Sequence, residues 1–332
     1  MDLTTRYLGL SLKNPLVAGA GPLNAQLDNI RRLEDLGAAA IVLPSVFEEQ
    51  IEQEQQTAEH LISNSSDSYA EALGYFPKQV TDAIDPERYV DLVRRATAAV
   101  DIPIIASLNG VTSHGWVDYA KRMQQAGARA IELNIYFIPI DMDLSSAEVE
   151  QRYLDILAAV KAGVTIPVAV KLGPYFSAMG QMASRLDQAG ADGLVLFNRF
   201  YQPDIDLTRL ALSCDLELSR PYEIRLPLLW IGVLAGRIKA SLAASTGVES
   251  ADEVIKYLLA GADVVMTTSS LLRHGVDRIK ELLAGLEHWL AARNLESPDA
   301  IRGLLRHLRV VDKGAFERVN YISTLQGPWV KR

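Results

Sequence analysis

The chain has 332 residues, 49% of them hydrophobic, a formal net charge of −8 and a single cysteine, Cys214. An acidic balance argues against nucleic acid or an anionic membrane as partner, and one thiol excludes an intrachain disulfide and any multi-cysteine metal or iron–sulfur site. The opening MDLTTRYLGLSLKNP lacks a charged segment followed by an apolar one, and no apolar run is long enough to cross a bilayer, so the expectation is a reduced, cytoplasmic protein that meets small molecules or a protein partner.

Residues Thr4 to Leu12 alternate polar and apolar around Gly9, which predicts a short N-terminal hairpin. Asn14-Pro15 then leads into an apolar strand from Leu16 to Ala20. A pattern recurs after it: DLGAAAIVLP at 35–44, QAGARAIELN at 125–134, QAGADGLVLF at 188–197 and LAGADVVMTT at 259–268. Each copy has an amphipathic helical stretch before it, Gly-Ala at the helix end, and an apolar strand after it. Ile102-Pro103 and Ile166-Pro167 open two further strands, and Ser241 to Ala244 completes a set of eight near 16, 40, 103, 130, 167, 193, 241 and 263. Eight strands alternating with helices predict a (β/α)8 TIM barrel, a single domain over 1–332 with a mostly helical C-terminal extension from Val276 up to the ending LQGPWVKR. A doubly wound open sheet is the alternative, but no G-x-G-x-x-G follows the first strand.

Two insertions interrupt the rhythm, one after strand two and one after strand six. Val46 to Pro77 carries Glu48, Glu49, Glu52, Glu54, Glu59, Asp67 and Glu71 without Lys or Arg, and its first half reads as a solvated acidic helix, a lid, or a docking surface for a basic electron-transfer protein. Arg199 to Pro227 holds Tyr201, Pro203, Asp204, Asp206 and Cys214 and precedes a helix in LLWIGVLAGRIKA. Leaving the end of strand six, it is expected over the catalytic face.

The charged residue that most needs a reason is Lys171, at the end of the buried run TIPVAVKLGPYF. At a barrel's catalytic face such a lysine pairs with a phosphate or an anionic ring, or forms a Schiff base; the plain alternative is snorkelling into water. Strand seven ends in Ser245-Thr246-Gly247-Val248 before Ser250-Ala251-Asp252-Glu253, a capping-box pattern, and strand eight ends in Thr267-Thr268-Ser269-Ser270. Small and hydroxylated residues at adjacent strand ends suit a phosphate. Ala18-Gly19-Ala20-Gly21 ends strand one and leaves space for a flat ring, while Asn109, Asn134 and Asn198 end strands three, four and six and offer amides to a heterocycle's edge.

Taken together, Asn14-Pro15, Ala18 to Gly21, Glu132-Leu133-Asn134, Val170-Lys171-Leu172-Gly173-Pro174-Tyr175-Phe176, Asn198, Thr246-Gly247-Val248 and Thr268-Ser269 resemble the dihydroorotate dehydrogenases from about residue 4 to 285. The resemblance implies an FMN oxidoreductase that moves a hydride between substrate and flavin N5. Lys171 and Asn109 would lie near the ring, Ala18, Gly19, Ala20 and Gly21 along it, and Thr246, Gly247, Thr268 and Ser269 at the phosphate. Asn134 and Asn198 would face both flavin and substrate. It also implies a homo-oligomer, because related barrels pair through catalytic-face loops. In the family the run after strand four reads Asn-Leu-Ser-Cys-Pro-Asn, or has Ser for Cys, and that residue removes a substrate proton. Here it reads Asn134-Ile135-Tyr136-Phe137-Ile138-Pro139, and Phe137 cannot accept a proton. Pro44 stands where the family has a lysine, and Glu71 where a substrate-binding Asn is expected. Tyr136 is the first candidate for replacing the base, ahead of Asp141, Asp143, His114 and Tyr201. The alternatives are a Schiff-base lyase using Lys171 and a non-catalytic flavin-binding or scaffold protein.

Overall fold

Four helix ends carry the recurring Gly-Ala step, and at each the backbone turns in the same way. Gly37, Gly127, Gly190 and Gly261 have φ of +104°, +105°, +92° and +117°. The next amide then reaches back to a carbonyl of the last helical turn: Ala38 to Leu33 at 2.8 Å, Ala128 to Met123 at 3.1 Å, Ala191 to Leu186 at 3.0 Å and Ala262 to Tyr257 at 3.0 Å. These are left-handed helix ends that glycine adopts without a Cβ penalty, and each delivers the chain into a strand. The sequence echo is therefore a repeated helix-to-strand junction.

The computed structural model describes residues 1–48, 86–110, 116–199, 203–213, 217–306 and 322. Its strands are β1 Thr5–Tyr7, β2 Leu10–Leu12, β3 Leu16–Ala18, β4 Ala40–Phe47, β5 Ile104–Asn109, β6 Ala130–Asn134, β7 Val168–Leu172, β8 Gly193–Leu196, β9 Asp204–Asp206, β10 Ala211–Ser213, β11 Ser241–Ala244 and β12 Val264–Thr267. β3 to β8, β11 and β12 form a closed barrel, every ladder of which is parallel. The eight expected strands are present, and the fold is a (β/α)8 barrel. Side chains alternate along each strand: Val17, Val42, Ile105, Ala130, Ala169, Val195, Ala243 and Met266 belong to an inner cluster, while Leu16, Ile41, Ile104, Ile131, Val170, Leu194, Leu242 and Val265 pack in the outer one with the helices. The predicted hairpin, β1 with β2, adds Tyr7, Leu8 and Leu12 to the inner cluster. A Cβ on Gly193 would lie 2.5 Å from Leu8 Cδ2, so that glycine admits the hairpin to the barrel floor.

Several boundaries differ from expectation. β4 runs to Phe47, two residues into the expected insertion, and its register against β5 shifts between Val42 and Ser45, where Pro44 has no N–H to give. Glu48 is buried rather than on a solvated face; residues 49–85, with Glu71, lie outside the described residues, as do His114, Tyr201 and Cys214. The helix after the second insertion covers Arg225–Leu234, three residues earlier than LLWIGVLAGRIKA suggests, because Pro227 is tolerated in a first turn. Of the C-terminal extension, the described residues to 306 form the helix Arg278–Ala291, then turn, form a short 3-10 segment at Pro298–Ala300, and bond back through Gly303 N to Leu258 O at 2.9 Å; 307–332, apart from 322, lie outside the described residues. Among the described residues no helix is long and apolar enough to cross a membrane.

Candidate active site

Inward alternation on β6 and β7 brings two opposite charges together. Asn134 stands opposite Lys171 in the ladder and Glu132 opposite Ala169, so Lys171 reaches one step down the barrel to place Nζ 3.3 Å from Glu132 Oε1. The lysine side chain is 13% exposed and the glutamate 1%. Sequence reasoning gave Lys171 a role and named Glu132 only within the family motif Glu132-Leu133-Asn134, although a carboxylate inside the apolar run AIELN gives the same signal.

Lys171 lines a cleft of about 270 Å³ at the C-terminal ends of the strands, together with Ala20, Gly21, Asn198, Arg199, Ser219, Thr246, Gly247, Thr268 and Ser269. At one end Thr246 and Gly247 both adopt positive φ, +89° and +70°. The Gly247 amide donates to Ser219 Oγ at 3.1 Å, and Ser219 Oγ donates to Ser269 Oγ at 2.9 Å. Tyr257 donates its hydroxyl to the Thr246 carbonyl at 2.8 Å. Burial first, and then the charges of Glu253 and Glu223, push that phenol well up, which keeps it a donor. Arg273 holds the Leu218 and Ser219 carbonyls at 2.8 and 2.7 Å. Ser219 was not singled out from the sequence: it lies in the long second insertion with no local motif around it.

At the end of β3, Ala18 is fully buried in the outer cluster, and strand alternation turns its side chain toward the helices, so that any contact with a bound ring falls to its main chain. Gly19 is not among the residues that line the cleft, and its amide is bonded to Thr267 O at 2.9 Å. A Cβ on Gly21 would meet Thr268 Cγ2 at 2.7 Å, so this glycine lets two strand ends close up. Asn24, also overlooked, is buried and donates to Gly19 O at 2.9 Å and Val42 O at 2.8 Å, fixing the turn.

Of the three amides, Asn198 Nδ2 donates to Asn134 Oδ1, while Asn109 is buried opposite Asn134 in the β5/β6 ladder. Asn198 lines the cleft; Asn109, Asn134 and Tyr136 are not among its lining residues. Phe137 turns toward the helix Ser146–Gly163, where the Arg152 guanidinium sits 4.0 Å from its ring centroid. It lines a second, apolar cavity of about 290 Å³ with Ile138, Tyr153, Tyr175 and Phe176. Asp141 and Asp143 are exposed, and Asp141 caps its own turn by accepting from Asp143 N at 3.0 Å.

A family model described as dihydroorotate dehydrogenase matches residues 2–290. The chain belongs to the dihydroorotate dehydrogenase family. Within it, the chain is 28% identical over 270 residues to the catalytic subunit of dihydroorotate dehydrogenase B (NAD(+)) of Halalkalibacterium halodurans, covering 79% of this chain and 85% of that one. It is 24% identical over 312 residues to a putative dihydroorotate dehydrogenase A (fumarate) of Aeropyrum pernix, covering 91% and 97%. It is also 22% identical over 336 residues to the NAD-dependent dihydropyrimidine dehydrogenase subunit PreA of Escherichia coli K12, covering 91% and 76%. As a dihydroorotate dehydrogenase-like protein it is an oxidoreductase acting on CH–CH groups.

Proposed function

We propose that the chain is an FMN-dependent oxidoreductase that exchanges a hydride with a CH–CH or C=C substrate other than dihydroorotate. The observation that carries this reading is one cleft with a cation, Lys171, on its wall and a turn of amides and hydroxyls at its end. The donor set suits the cofactor. Gly247, Ser219, Thr246, Thr268 and Ser269 gather small and hydroxylated residues that suit a monophosphate, which would take over donors that Gly247 N and the Ser219 hydroxyl here give to Ser219 and Ser269; Ala20 and Gly21 leave a wall without bulk for a flat ring, and Lys171 supplies positive charge where a reduced ring is electron-rich. When bound, FMN would supply the two-electron carrier for either direction of that exchange. The chain's own part is to hold and orient: Asn134 fixes the Asn198 amide at the cleft wall, and Glu132 holds Lys171.

The substrate half supports a departure from dihydroorotate. Phe137, at the position of the family base, carries no proton acceptor and stacks against Arg152. From Asn134 to Asp143 the dissociable side chains are Tyr136, Asp141 and Asp143, and of these Tyr136 alone is half-buried, which keeps it as the proposed acid/base group. Two of the relatives are named as subunits, and an electron-carrying partner chain belongs to the same reading. A Schiff-base role is disfavoured because Lys171 is half of a buried ion pair rather than a free amine.

The test is the visible spectrum of the purified protein with the mass of any released chromophore. Flavin bands and an FMN mass are expected. A colourless protein that takes up no added FMN sinks the proposal, and borohydride trapping of a carbonyl compound on Lys171 would favour the lyase instead.

A further inference from the structure

Glu132 is a carboxylate sunk in the barrel interior, with Oε1 3.3 Å from Lys171 Nζ and Oε2 buried without a hydrogen-bond partner. Among the described residues it is the one carboxylate within ion-pair reach of Lys171. An ion pair with one orphaned oxygen is a poor way to stabilise a fold, since a well-packed apolar pair of similar volume does at least as well. What the arrangement supplies is therefore positional. Glu132 and Asn134 share the inward face of β6, and Lys171 bends down from the cleft wall to meet the carboxylate.

We propose that Glu132 is a positioning residue that anchors Lys171 and partly cancels the positive charge it presents to the ring bound in the cleft. The inference rests on the FMN reading above. With Glu132 in place the ring meets a compensated pair; without its charge the ring meets a bare cation. Reduction of a flavin and addition of sulfite to it both place negative charge on the ring, so both respond to that difference.

The experiment uses the FMN-loaded protein and sulfite as the probe, read by bleaching of the visible flavin band, with the midpoint potential measured alongside. Glu132→Gln keeps the shape and removes the charge. It is expected to bind sulfite about tenfold more tightly, about 1.4 kcal/mol, and to shift the potential upward; Lys171→Met is expected to move both the other way. Glu132→Asp draws the carboxylate back by one methylene and serves if the glutamine variant does not fold, with a smaller shift in the same direction expected. A loaded Glu132 variant whose sulfite affinity and potential match the parent's overturns the proposal and leaves the FMN reading standing. A parent protein that neither carries nor accepts FMN removes both.

Discussion

Gly247 shows how tightly single residues are constrained at the hydroxyl-lined end of the cleft. Its φ is +70°, and a Cβ there would come within 2.7 Å of both the Arg220 carbonyl oxygen and Ile224 Cγ2. The first of these is main chain, so a side chain has no flexible neighbour to push aside. The preceding Thr246 already holds φ +89°, a costly conformation for a β-branched residue. It is held there by its own hydroxyl on Phe197 O at 3.2 Å and by the Tyr257 hydroxyl. Gly247→Ala is expected to destabilise the protein by about 1–3 kcal/mol and to weaken retention of a phosphate-bearing ligand more than that of the same ligand without its phosphate. A urea titration and paired FMN and riboflavin affinities check this; an unchanged midpoint together with equal losses for the two ligands would count against it.

The helix Ala251–Ala260 carries the turn that contains Gly247, and its N-terminus is set by a capping box. Glu253 Oε2 accepts from Ser250 N at 2.8 Å and Ser250 Oγ at 2.7 Å, while Ser250 Oγ accepts from Asp252 N at 3.2 Å. Because Glu253 is buried, Ser250→Ala removes a cap and also a donor to an enclosed carboxylate. The expected loss is about 1–2 kcal/mol in thermal or urea unfolding; a change within a few tenths of a kcal/mol would show that the box does not carry the helix start. This element was legible in the sequence as S-x-x-E, as the barrel was in its Gly-Ala junctions, since both are local patterns. Glu132 was equally legible, because a charge in a buried strand always needs a partner. Ser219 and Asn24 were not: Ser219 meets Gly247 and Ser269 across 28 and 50 positions, and Asn24 meets Val42 across 18, so no local period announces them. Pro44 was seen as a departure from a family position, but its effect on the β4 register depends on pairing with β5, which composition does not reveal.

At the scale of the whole molecule the two barrel ends are built differently. The C-terminal end of the strands gathers positive φ, hydroxyls and a buried ion pair around the cleft. At the other end lie the N-terminal hairpin and the segment 292–306 that follows the helix Arg278–Ala291. Arg302 joins them, bonding Thr5 Oγ1 at 2.7 Å and Asp263 at 3.2 Å, while Asp263 Oδ2 accepts from Leu242 N at 2.7 Å. Burial pushes the Asp263 carboxyl up from its ordinary 3.8, against the Leu242 amide and Arg302, which pull it down. A carboxyl raised in the folded state holds its proton more tightly there than in the unfolded chain. Its contribution is thus a penalty, absent below the ordinary carboxylate range and fully present once pH has risen through the raised value. Arg302→Met removes the pulling cation, raises that value further and enlarges the penalty at neutral pH. The pair is partly exposed, at 19% and 27%, so the expected loss at neutral pH is about 1–3 kcal/mol, below that of a fully buried pair. The loss should shrink as pH falls toward about 4, where the Asp263 carboxyl takes a proton and no longer needs the guanidinium, leaving the missing bond to Thr5 and the missing exposed pair with Asp299. Urea unfolding of parent and variant across that range checks the sign: a deficit that is flat with pH would mean that Arg302 acts through Thr5 and packing, and a deficit that grows on acidification would reverse the assignment of Asp263.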